Sequence, residues 1–110
     1  MKKLALALAV TAFALSGMPA DAQTATYYSH GFHGKRTASG SRFNNGAAVA
    51  AHPSLPFGTR LKVTNRKNGR SVVVRVVDRC RCSIDLSQSA FRAIGSLGAG
   101  SIPVRVKVLN

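Results

Sequence analysis

The sequence predicts a small β-barrel that carries one short helix. Short stretches in which β-branched or aliphatic residues alternate with charged ones favour strands, as with Leu61 and Val63 in "TRLKVTN". Turn residues such as Asn68-Gly69 separate these stretches. Only "SQSAFRAIGSLGAG" has the pattern of a helix. Many short strands joined by tight turns are typical of small barrels.

The first 22 residues predict a secretory signal peptide. A positive "MKK" precedes the apolar "LALALAVTAFAL", and Ala20-Asp21-Ala22 places small residues where a signal peptidase cleaves. The apolar run is too short for a stable bilayer span, although a retained N-terminal anchor is the alternative. We therefore expect a barrel domain at 23–110, exported to the periplasm or the medium, without a membrane span. No cysteine lies near the cleavage site, so a lipid anchor is not expected.

The predicted elements follow in order along residues 23–110. "ATYYSHGF" begins with strand character, and "HGKRTASGSRFNNG" has the Gly, Ser and Asn content of a long surface loop. "AAVAAH" leads into a proline-containing turn. "TRLKVTN" and "SVVVRVVD" flank Asn68-Gly69, a strong signal for a tight hairpin. Ser87 is a plausible helix N-cap, Gly95 or Gly98 a plausible stop, and Ile102 to Val108 alternate as a last strand.

Asp78 ends the return strand of this hairpin. Strict alternation places it on the same face as Val72, Val74 and Val76, with Arg79 pointing the opposite way. Burial against valines favours the neutral acid, whereas nearby arginines favour the anion, and the sequence leaves both open. Asp78 is therefore a candidate functional acid, and a turn-capping or ion-paired aspartate is the alternative.

The charge of the chain is strongly positive. The whole chain carries 16 basic and 3 acidic side chains, and without Lys2, Lys3 and Asp21 the balance is 14 − 2 = +12. Such a charge favours anionic partners such as wall polymers, anionic membranes or nucleic acid. The chain has no recognisable nucleic-acid-binding motif, so a specific nucleic-acid partner is not expected. The sequence does not reveal the oligomeric state, and we assume a monomer.

Both cysteines lie close together, at Cys80 and Cys82. In an exported protein they can pair, and we expect a local bridge that shapes a loop. A redox-active pair is the alternative, since flanking arginines supply an electropositive setting. A zinc site with His30 and His33 matches no compact ligand spacing, so no metal is expected.

Several blocks together resemble the rare lipoprotein A family of septal-ring lytic transglycosylases. They are Thr37-Ala38-Ser39-Gly40, Ala51-His52, Leu55-Pro56-Phe57-Gly58-Thr59, Asn68-Gly69, Asp78-Arg79 and Ile84-Asp85-Leu86-Ser87. The resemblance runs from about Tyr27 to Leu109. It implies a six-stranded double-psi β-barrel with one short helix. It also implies cleavage of the MurNAc–GlcNAc bond of peptidoglycan without water, yielding a 1,6-anhydro sugar.

The resemblance assigns the catalytic aspartate to Asp78 and an orienting histidine to His52. A single acid would protonate the glycosidic oxygen and then accept a proton from the C6 hydroxyl, with no metal or organic cofactor. We expect substrate contacts from Ser41, Phe43, Arg79 and Tyr28. The rings of Tyr27, Tyr28, Phe32 and Phe43 could stack on sugars in an exposed groove, and we expect about half of these four to be core instead.

Asp85 is harder to assign. We favour a structural acceptor of backbone N–H groups before the helix, while a two-carboxylate pair with Asp78 stays open.

Two departures from the family pattern bear on function. The loop reads Ala-Ser-Gly-Ser, so Ser41 stands where the family usually has glutamate, and "CRCS" replaces a longer segment after Asp78-Arg79. The missing carboxylate favours an alternative, a non-catalytic peptidoglycan-binding module similar to expansin and barwin domains. A third alternative is a cationic protein that binds by charge alone, whose binding moderate salt would abolish.

Overall fold

Six strands form a closed barrel in the computed structural model, which describes residues 23–110. The strands are β1 (Gln23–Tyr27), β2 (Val49–Ala51), β3 (Arg60–Asn65), β4 (Ser71–Asp78), β5 (Ile84–Leu86) and β6 (Ile102–Val108). One helix, α1, spans Gln88–Ile94, and two single 3₁₀ turns lie at His30–Phe32 and Leu97–Ala99. This architecture confirms the predicted six-stranded barrel with one short helix. The predicted signal peptide, residues 1–22, lies outside the described residues.

The strand order around the barrel is β1-β5-β2-β4-β3-β6. The pairs β1–β5 and β2–β4 are parallel, and the other four pairs are antiparallel. Because β2 and β4 run in the same direction, their C-terminal ends meet. The backbone N–H of His52, just after β2, donates to the Asp78 carbonyl at 3.1 Å. The topology thereby brings together two residues that are 26 positions apart.

The barrel interior is aliphatic. Alternation along β4 holds, since Val74 and Val76 are buried while Val73 and Arg75 are exposed. Helix α1 adds Phe91 to this core, where its ring meets Tyr27 edge-on with centroids 4.8 Å apart. Burial of this kind is the main stabilising term for so small a domain.

Helix α1 begins and ends as the sequence predicts. The Ser87 hydroxyl accepts a hydrogen bond from the Ala90 N–H, and Gly95 follows the last helical residue. The Ile94 carbonyl at the helix end accepts hydrogen bonds from the amides of Asn65 and Asn68. These amides satisfy an orphan carbonyl of the helix C-terminus.

The β3–β4 hairpin is present, but its turn is longer than the predicted tight turn. Residues 66–70 lie between the strands, and the Gly69 N–H donates to the Asn65 carbonyl. Gly69 has φ +77°, which explains the glycine. In this longer turn Asn68 lies next to the end of α1 and contacts it. The Asn-Gly pair alone does not predict this tertiary contact.

A second, smaller cluster lies on the other side of the barrel wall. Tyr28, Phe43 and Ala51 are buried there, with Phe32 and Cys80 packed against them. We call this group the aromatic cluster. It fills the space between the wall and the long loop at residues 33–46.

Candidate functional site

A β-bulge at the end of β4 sets the direction of Asp78. Ala50 of β2 opposes Val76, but the next residue, Ala51, opposes Asp78, so Val77 and Asp78 together face one residue. A bulge of this kind redirects a side chain. Asp78 therefore leaves the valine row that alternation predicts and turns toward the aromatic cluster. The expectation that it ends an apolar row inside the barrel is wrong for this reason.

Two donors hold the Asp78 carboxyl. The Tyr28 hydroxyl donates to Oδ2 at 2.6 Å, and the backbone N–H of Ala38 donates to Oδ1 at 2.8 Å. Asp78 remains partly exposed. A carboxylate has about four lone-pair directions, so each oxygen keeps one for a further partner. The group is fixed in place and still open to a ligand.

Tyr28 is a buried donor to this carboxyl. Its side chain is 7% exposed, and its ring stacks on Phe43 with centroids 3.9 Å apart. Burial, followed by the hydrogen bond and charge of Asp78, raises the pKa of the Tyr28 hydroxyl far above its usual value. The phenol therefore stays protonated and donates throughout the physiological pH range.

Phe43, expected to contact sugar, is only 2% exposed. Phe32 meets it edge-on with centroids 5.3 Å apart, and Tyr28 covers one of its faces. No face of the Phe43 ring is open to a sugar. Its position instead supports Tyr28, and through Tyr28 the carboxyl of Asp78.

Ser41 belongs to a triangle of hydroxyls beside the carboxyl. Thr37, Ser39 and Ser41 lie with their hydroxyl oxygens 2.9–3.0 Å apart. Gly40, with φ +92°, closes the turn between them, and the Ser39 N–H donates to the Val77 carbonyl. The same turn carries the Ala38 N–H that binds Asp78. Ser41, which stands where the family usually has glutamate, thus presents an exposed hydroxyl in this turn.

His52 has a defined tautomer. Its Nδ1 accepts hydrogen bonds from the N–H groups of Ser54 and Leu55, both at 3.1 Å. A backbone N–H can only donate, so the proton of the neutral ring lies on Nε2. Burial, with a smaller contribution from the Arg79 charge, lowers the pKa of His52. The ring therefore offers a neutral Nε2–H donor.

Arg79 points away from the Asp78 carboxyl, as alternation predicts. Its guanidinium donates to the His52 carbonyl at 3.3 Å and lies over the Phe57 ring, 4.1 Å from the centroid. Phe57 is 42% exposed. Phe57 was not among the predicted site residues, and the signal that could have found it is an aromatic in the turn directly after His52.

Asp85 lies on the same side of the barrel wall as Asp78. Ala51 opposes both residues, one on each neighbouring strand, and directly opposed residues point to the same side of a sheet. The Asp85 carboxyl accepts a hydrogen bond from the Thr26 hydroxyl at 2.8 Å. Burial is the largest cause that raises the pKa of Asp85, the Thr26 hydrogen bond opposes it, and the Asp78 charge adds to it.

The Asp85 carboxyl therefore accepts a hydrogen bond from a side-chain hydroxyl, in place of the backbone N–H groups that the sequence predicted. Ser87 caps the helix, while Asp85 faces outward between the core residues Ile84 and Leu86. Thr26, Asp85, Ala51 and Asp78 form a row across β1, β5, β2 and β4, which we call the acidic row. Strand pairing, which the sequence alone does not give, creates this row.

Cys80 and Cys82 form a disulfide, which confirms the predicted local bridge. Their Cα atoms are 5.3 Å apart. Cys80 packs against the aromatic cluster, so the bridge supports one side of the site. The zinc alternative loses two of its four ligands. Residues 23–110 hold no group of three or more His, Cys, Asp or Glu side chains arranged for a metal.

His30 and His33 instead line a cavity of about 270 Å³ with Asn45, Gly46, Gln88 and Arg92. The His33 Nδ1 accepts a hydrogen bond from the Asn45 N–H.

In the described part of the chain no helix has the length and apolarity needed to cross a membrane.

Comparison with known proteins identifies the family. A family model described as lytic transglycolase matches residues 20–106. Probable endolytic peptidoglycan transglycosylase RlpA of Nostoc is 54% identical over 92 residues, covering 78% of this chain and 25% of that protein. The chain belongs to the RlpA family. The RlpA of Campylobacter jejuni is 46% identical over 90 residues, covering 78% of this chain and 33% of that protein.

The RlpA relatives are much longer than the matched region, since the chain spans a quarter to a third of the two named above. An uncharacterized protein of Synechocystis matches along 94% of its own length and 77% of this chain, with 56% identity over 85 residues. This RlpA-family barrel therefore resembles both a segment of long proteins and one whole small protein.

Solved structures extend the comparison of the fold. A Streptomyces papain inhibitor superposes with TM-score 0.67 and 27% identity over 81% of this chain and 93% of that one. A Clavibacter michiganensis expansin mutant, solved in complex with cellohexaose, gives TM-score 0.65 and 30% identity over 80% of this chain and 49% of that one. Both agree with a double-psi barrel, and one of them holds an oligosaccharide.

Proposed function

We propose that this RlpA-family barrel is a peptidoglycan lytic transglycosylase in which Asp78 is the acid and base. The observation that carries the proposal is a partly exposed carboxyl held by a permanent phenol donor and a backbone N–H. Further support comes from the family match and from RlpA relatives named as peptidoglycan transglycosylases. The proposed place of action is the cell wall, after export.

The reaction uses one carboxyl twice, first as an acid and then as a base. Protonated Asp78 gives its proton to the glycosidic oxygen, and the bond between that oxygen and the MurNAc anomeric carbon breaks. The resulting Asp78 carboxylate then removes the proton of the C6 hydroxyl as its oxygen bonds to the anomeric carbon. A 1,6-anhydro sugar and a free GlcNAc end result, no water is consumed, and Asp78 is protonated again.

The surrounding residues take positioning roles in this proposal. Tyr28 and Ala38 fix the carboxyl, so its remaining lone pairs face the glycan, and precise orientation is a large part of catalysis. The Nε2–H of neutral His52 donates to a substrate oxygen. The exposed Phe57 ring, supported by Arg79, offers a face on which a sugar can stack. The hydroxyls of Ser39 and Ser41 bind substrate in place of a carboxylate.

A second function has one specific observation in its favour. Ser41 replaces the family carboxylate, and an expansin fold neighbour was solved with an oligosaccharide bound. The barrel would then bind peptidoglycan without cleaving it, through the same Phe57 and hydroxyl groups. The two functions share a surface and differ in whether Asp78 transfers a proton.

The deciding experiment incubates the purified protein with sacculi and with peptide-free glycan strands, then assays 1,6-anhydro sugars by mass spectrometry. We expect product from the wild type and at least a 100-fold lower rate from Asp78→Asn, since positioned acid–base groups contribute roughly 10²–10⁴-fold. The variant keeps the size and shape of the side chain and one of its two acceptor oxygens, and it cannot transfer a proton. Sacculus binding without product, equal in wild type and variant, would establish the binding module instead.

A further inference from the structure

The proposed function uses none of the residues around the cavity that His30 and His33 line. This cavity has a volume of about 270 Å³. Its wall comes from three parts of the chain: the 3₁₀ turn after β1 with the residue that follows it, the loop before β2, and α1. No aspartate of residues 23–110 lines it. We call it the histidine cavity, and its lining residues are His30, His33, Asn45, Gly46, Gln88 and Arg92.

Two buried amide side chains hold the wall of the histidine cavity in place. Asn45 and Gln88 are each 9% exposed. The Asn45 Oδ1 accepts a hydrogen bond from the backbone N–H of Gln88 at 2.8 Å, and its Nδ2 donates to the Ser29 carbonyl at 3.3 Å. The Gln88 Nε2 donates to the Tyr28 carbonyl at 3.0 Å. Because these bonds tie the three parts of the wall together, the cavity is preformed, which lowers the cost of binding a ligand.

Three exposed side chains of the lining, His30, His33 and Arg92, carry N–H donors. The His33 Nδ1 accepts a hydrogen bond from the Asn45 N–H at 3.1 Å, so the proton of the neutral ring lies on Nε2. Arg92 gives one N–H to the Gln88 side-chain oxygen at 3.5 Å, which leaves most donors of the guanidinium free. In the described part of the chain, neither the His30 side chain nor the His33 Nε2 forms a hydrogen bond. The cavity therefore offers a positive charge and several N–H groups to a ligand.

These donors match an oxyanion with several oxygens. A phosphate monoester carries a charge of about −1.5 to −2 at pH 7 and three strong acceptor oxygens. A carboxylate has only two oxygens, and one guanidinium can satisfy both. The volume of the cavity corresponds to about nine water molecules, which is more than a bare phosphate group fills. Shape and charge thus favour a phosphate group carried on a small organic molecule.

We propose that the histidine cavity binds a phosphate monoester, with Arg92 pairing with the phosphoryl oxygens and His30 and His33 donating hydrogen bonds to them. Cleavage of glycan at Asp78 is not required for this binding, because none of the lining side chains hydrogen-bonds to Asp78. Two sources supply such a group: a small free phosphate ester, and a lipid headgroup that ends in a phosphomonoester. Both are tested below.

A metal ion fits the two histidines less well. The Nδ1 of His33 is already occupied by the Asn45 N–H. In the described part of the chain, no group of three or more His, Cys, Asp or Glu side chains is arranged to hold a metal. The charge of Arg92 also repels a cation at this cavity. Zinc is nevertheless included in the test.

Two matched variants test the site. His33→Asn/Arg92→Gln, the cavity variant, removes the Nε2–H donor and the guanidinium, while the new asparagine oxygen replaces Nδ1 as acceptor for the Asn45 N–H. Arg105→Gln removes one guanidinium from the exposed side of β6 and is the control. The melting temperature of each protein is measured, so that binding is compared only between folded proteins.

Binding of small molecules is followed by NMR. Isotope-labelled protein is titrated at constant ionic strength with glycerol 3-phosphate, acetate or zinc chloride, and the backbone amide signals of Asn45, Gly46 and Gln88 are recorded. Binding to lipid is measured by sedimentation with phosphatidylcholine vesicles that contain phosphatidic acid, a phosphomonoester, or phosphatidylglycerol, a phosphodiester. The two kinds of vesicle are matched in total charge.

We expect glycerol 3-phosphate to shift the three amide signals with a dissociation constant of roughly 1 mM or lower. Acetate, with a smaller charge, should bind about fivefold more weakly or less. The cavity variant should bind glycerol 3-phosphate about tenfold more weakly, since it loses charge-assisted hydrogen bonds, and the control should stay within about twofold of the wild type.

The vesicles distinguish the two sources of the phosphate group. If the ligand is a small free ester, the wild type, the cavity variant and the control should bind both kinds of vesicle alike. If it is a lipid headgroup, the wild type and the control should prefer phosphatidic acid to phosphatidylglycerol, and the cavity variant should lose that preference. Either pattern supports a phosphate site in the cavity.

Four results would overturn the inference. The first is an absence of shifts at the three amides together with no preference for phosphatidic acid. Equal weakening in the Arg105→Gln control would mean diffuse attraction by net charge. Acetate binding as tightly as glycerol 3-phosphate would exclude selectivity for phosphate. Shifts caused by zinc chloride alone would assign the histidines to a metal. Formation of 1,6-anhydro product enters none of these measurements, so a failure of the proposed catalysis is seen separately.

Discussion

The two aspartates of the barrel lie on either side of Ala51 but in different surroundings. Asp78 is held by two donors and remains open to a ligand. Asp85 has a single hydroxyl partner, Thr26, and burial raises its pKa. Hydrogen-bond partners and burial set the chemistry of a carboxyl, and the proposed mechanism assigns proton transfer to Asp78 alone. The comparison shows how one strand register gives the same residue type two different chemistries.

The largest expected effect separates the catalytic contributions of the two carboxyls. Under the proposed function, Asp78→Asn lowers the rate of 1,6-anhydro product formation at least 100-fold, whereas Asp85→Asn lowers it about tenfold through loss of a nearby negative charge. The measurement is product formation from peptide-free glycan by both variants in parallel. A greater loss in Asp85→Asn would transfer the acid role to Asp85 and reverse the comparison.

A smaller loss is expected for Tyr28→Phe. The variant keeps the ring in the aromatic cluster and deletes only the donor to Asp78, so the carboxyl loses one of its two fixed partners. We expect kcat to fall about tenfold, equivalent to about 1.4 kcal/mol, with KM little changed, since the hydroxyl positions the acid rather than the substrate. Phe32→Leu, which alters the same cluster without touching Asp78, is the control. A loss confined to KM would contradict the positioning role.

Asp85→Asn should also change the melting temperature of the barrel in a way that depends on pH. A raised folded-state pKa means that Asp85 favours the folded state fully at low pH and that this contribution is lost as pH rises through the folded value. Removing the charge should therefore raise the melting temperature at pH 7, and the gain should shrink as pH falls toward 3. Thermal unfolding of both proteins across this range measures it. Asp78→Asn provides the comparison, and a drop in melting temperature at pH 7 for Asp85→Asn would contradict the argument.

Much of the difference between the surroundings of Asp78 and Asp85 could not be predicted from the sequence. Alternation identified the strands, Ser87 as the cap and Asp78 as a strand end, because period and capping chemistry are local properties. The bulge that turns Asp78 outward depends on a one-residue mismatch between β2 and β4, which are separated in the sequence by residues 52–70. The acidic row likewise depends on strand pairing, and so sequence reasoning placed Asp85 at the helix start rather than beside Asp78.

Local sequence patterns also did not predict which aromatic residues are buried. Phe43 and Phe57 both follow polar or turn residues, yet one is 2% and the other 42% exposed. The difference arises because the loop at 33–46 folds back over Ala51 while the turn at Phe57 projects from the barrel. Sequence reasoning named the buried ring as a sugar contact and omitted the exposed one.

The smallest expected effect concerns the disulfide beside the aromatic cluster. The bridge closes a three-residue loop, so the chain-entropy relation gives it roughly 1.5 kcal/mol, well below the roughly 3 kcal/mol of a 15-residue loop. Because Cys80 packs against the cluster that orients Tyr28 and hence Asp78, whereas Asp85 contacts Thr26, opening the bridge should perturb one carboxyl and spare the other. We expect Cys80→Ser/Cys82→Ser to lower product formation two- to fivefold while the pH-dependent gain from Asp85→Asn persists unchanged in that background. If Asp85→Asn no longer raises the melting temperature in the variant without the bridge, the environments of Asp78 and Asp85 are coupled. That result would contradict the difference between the two carboxyls described above.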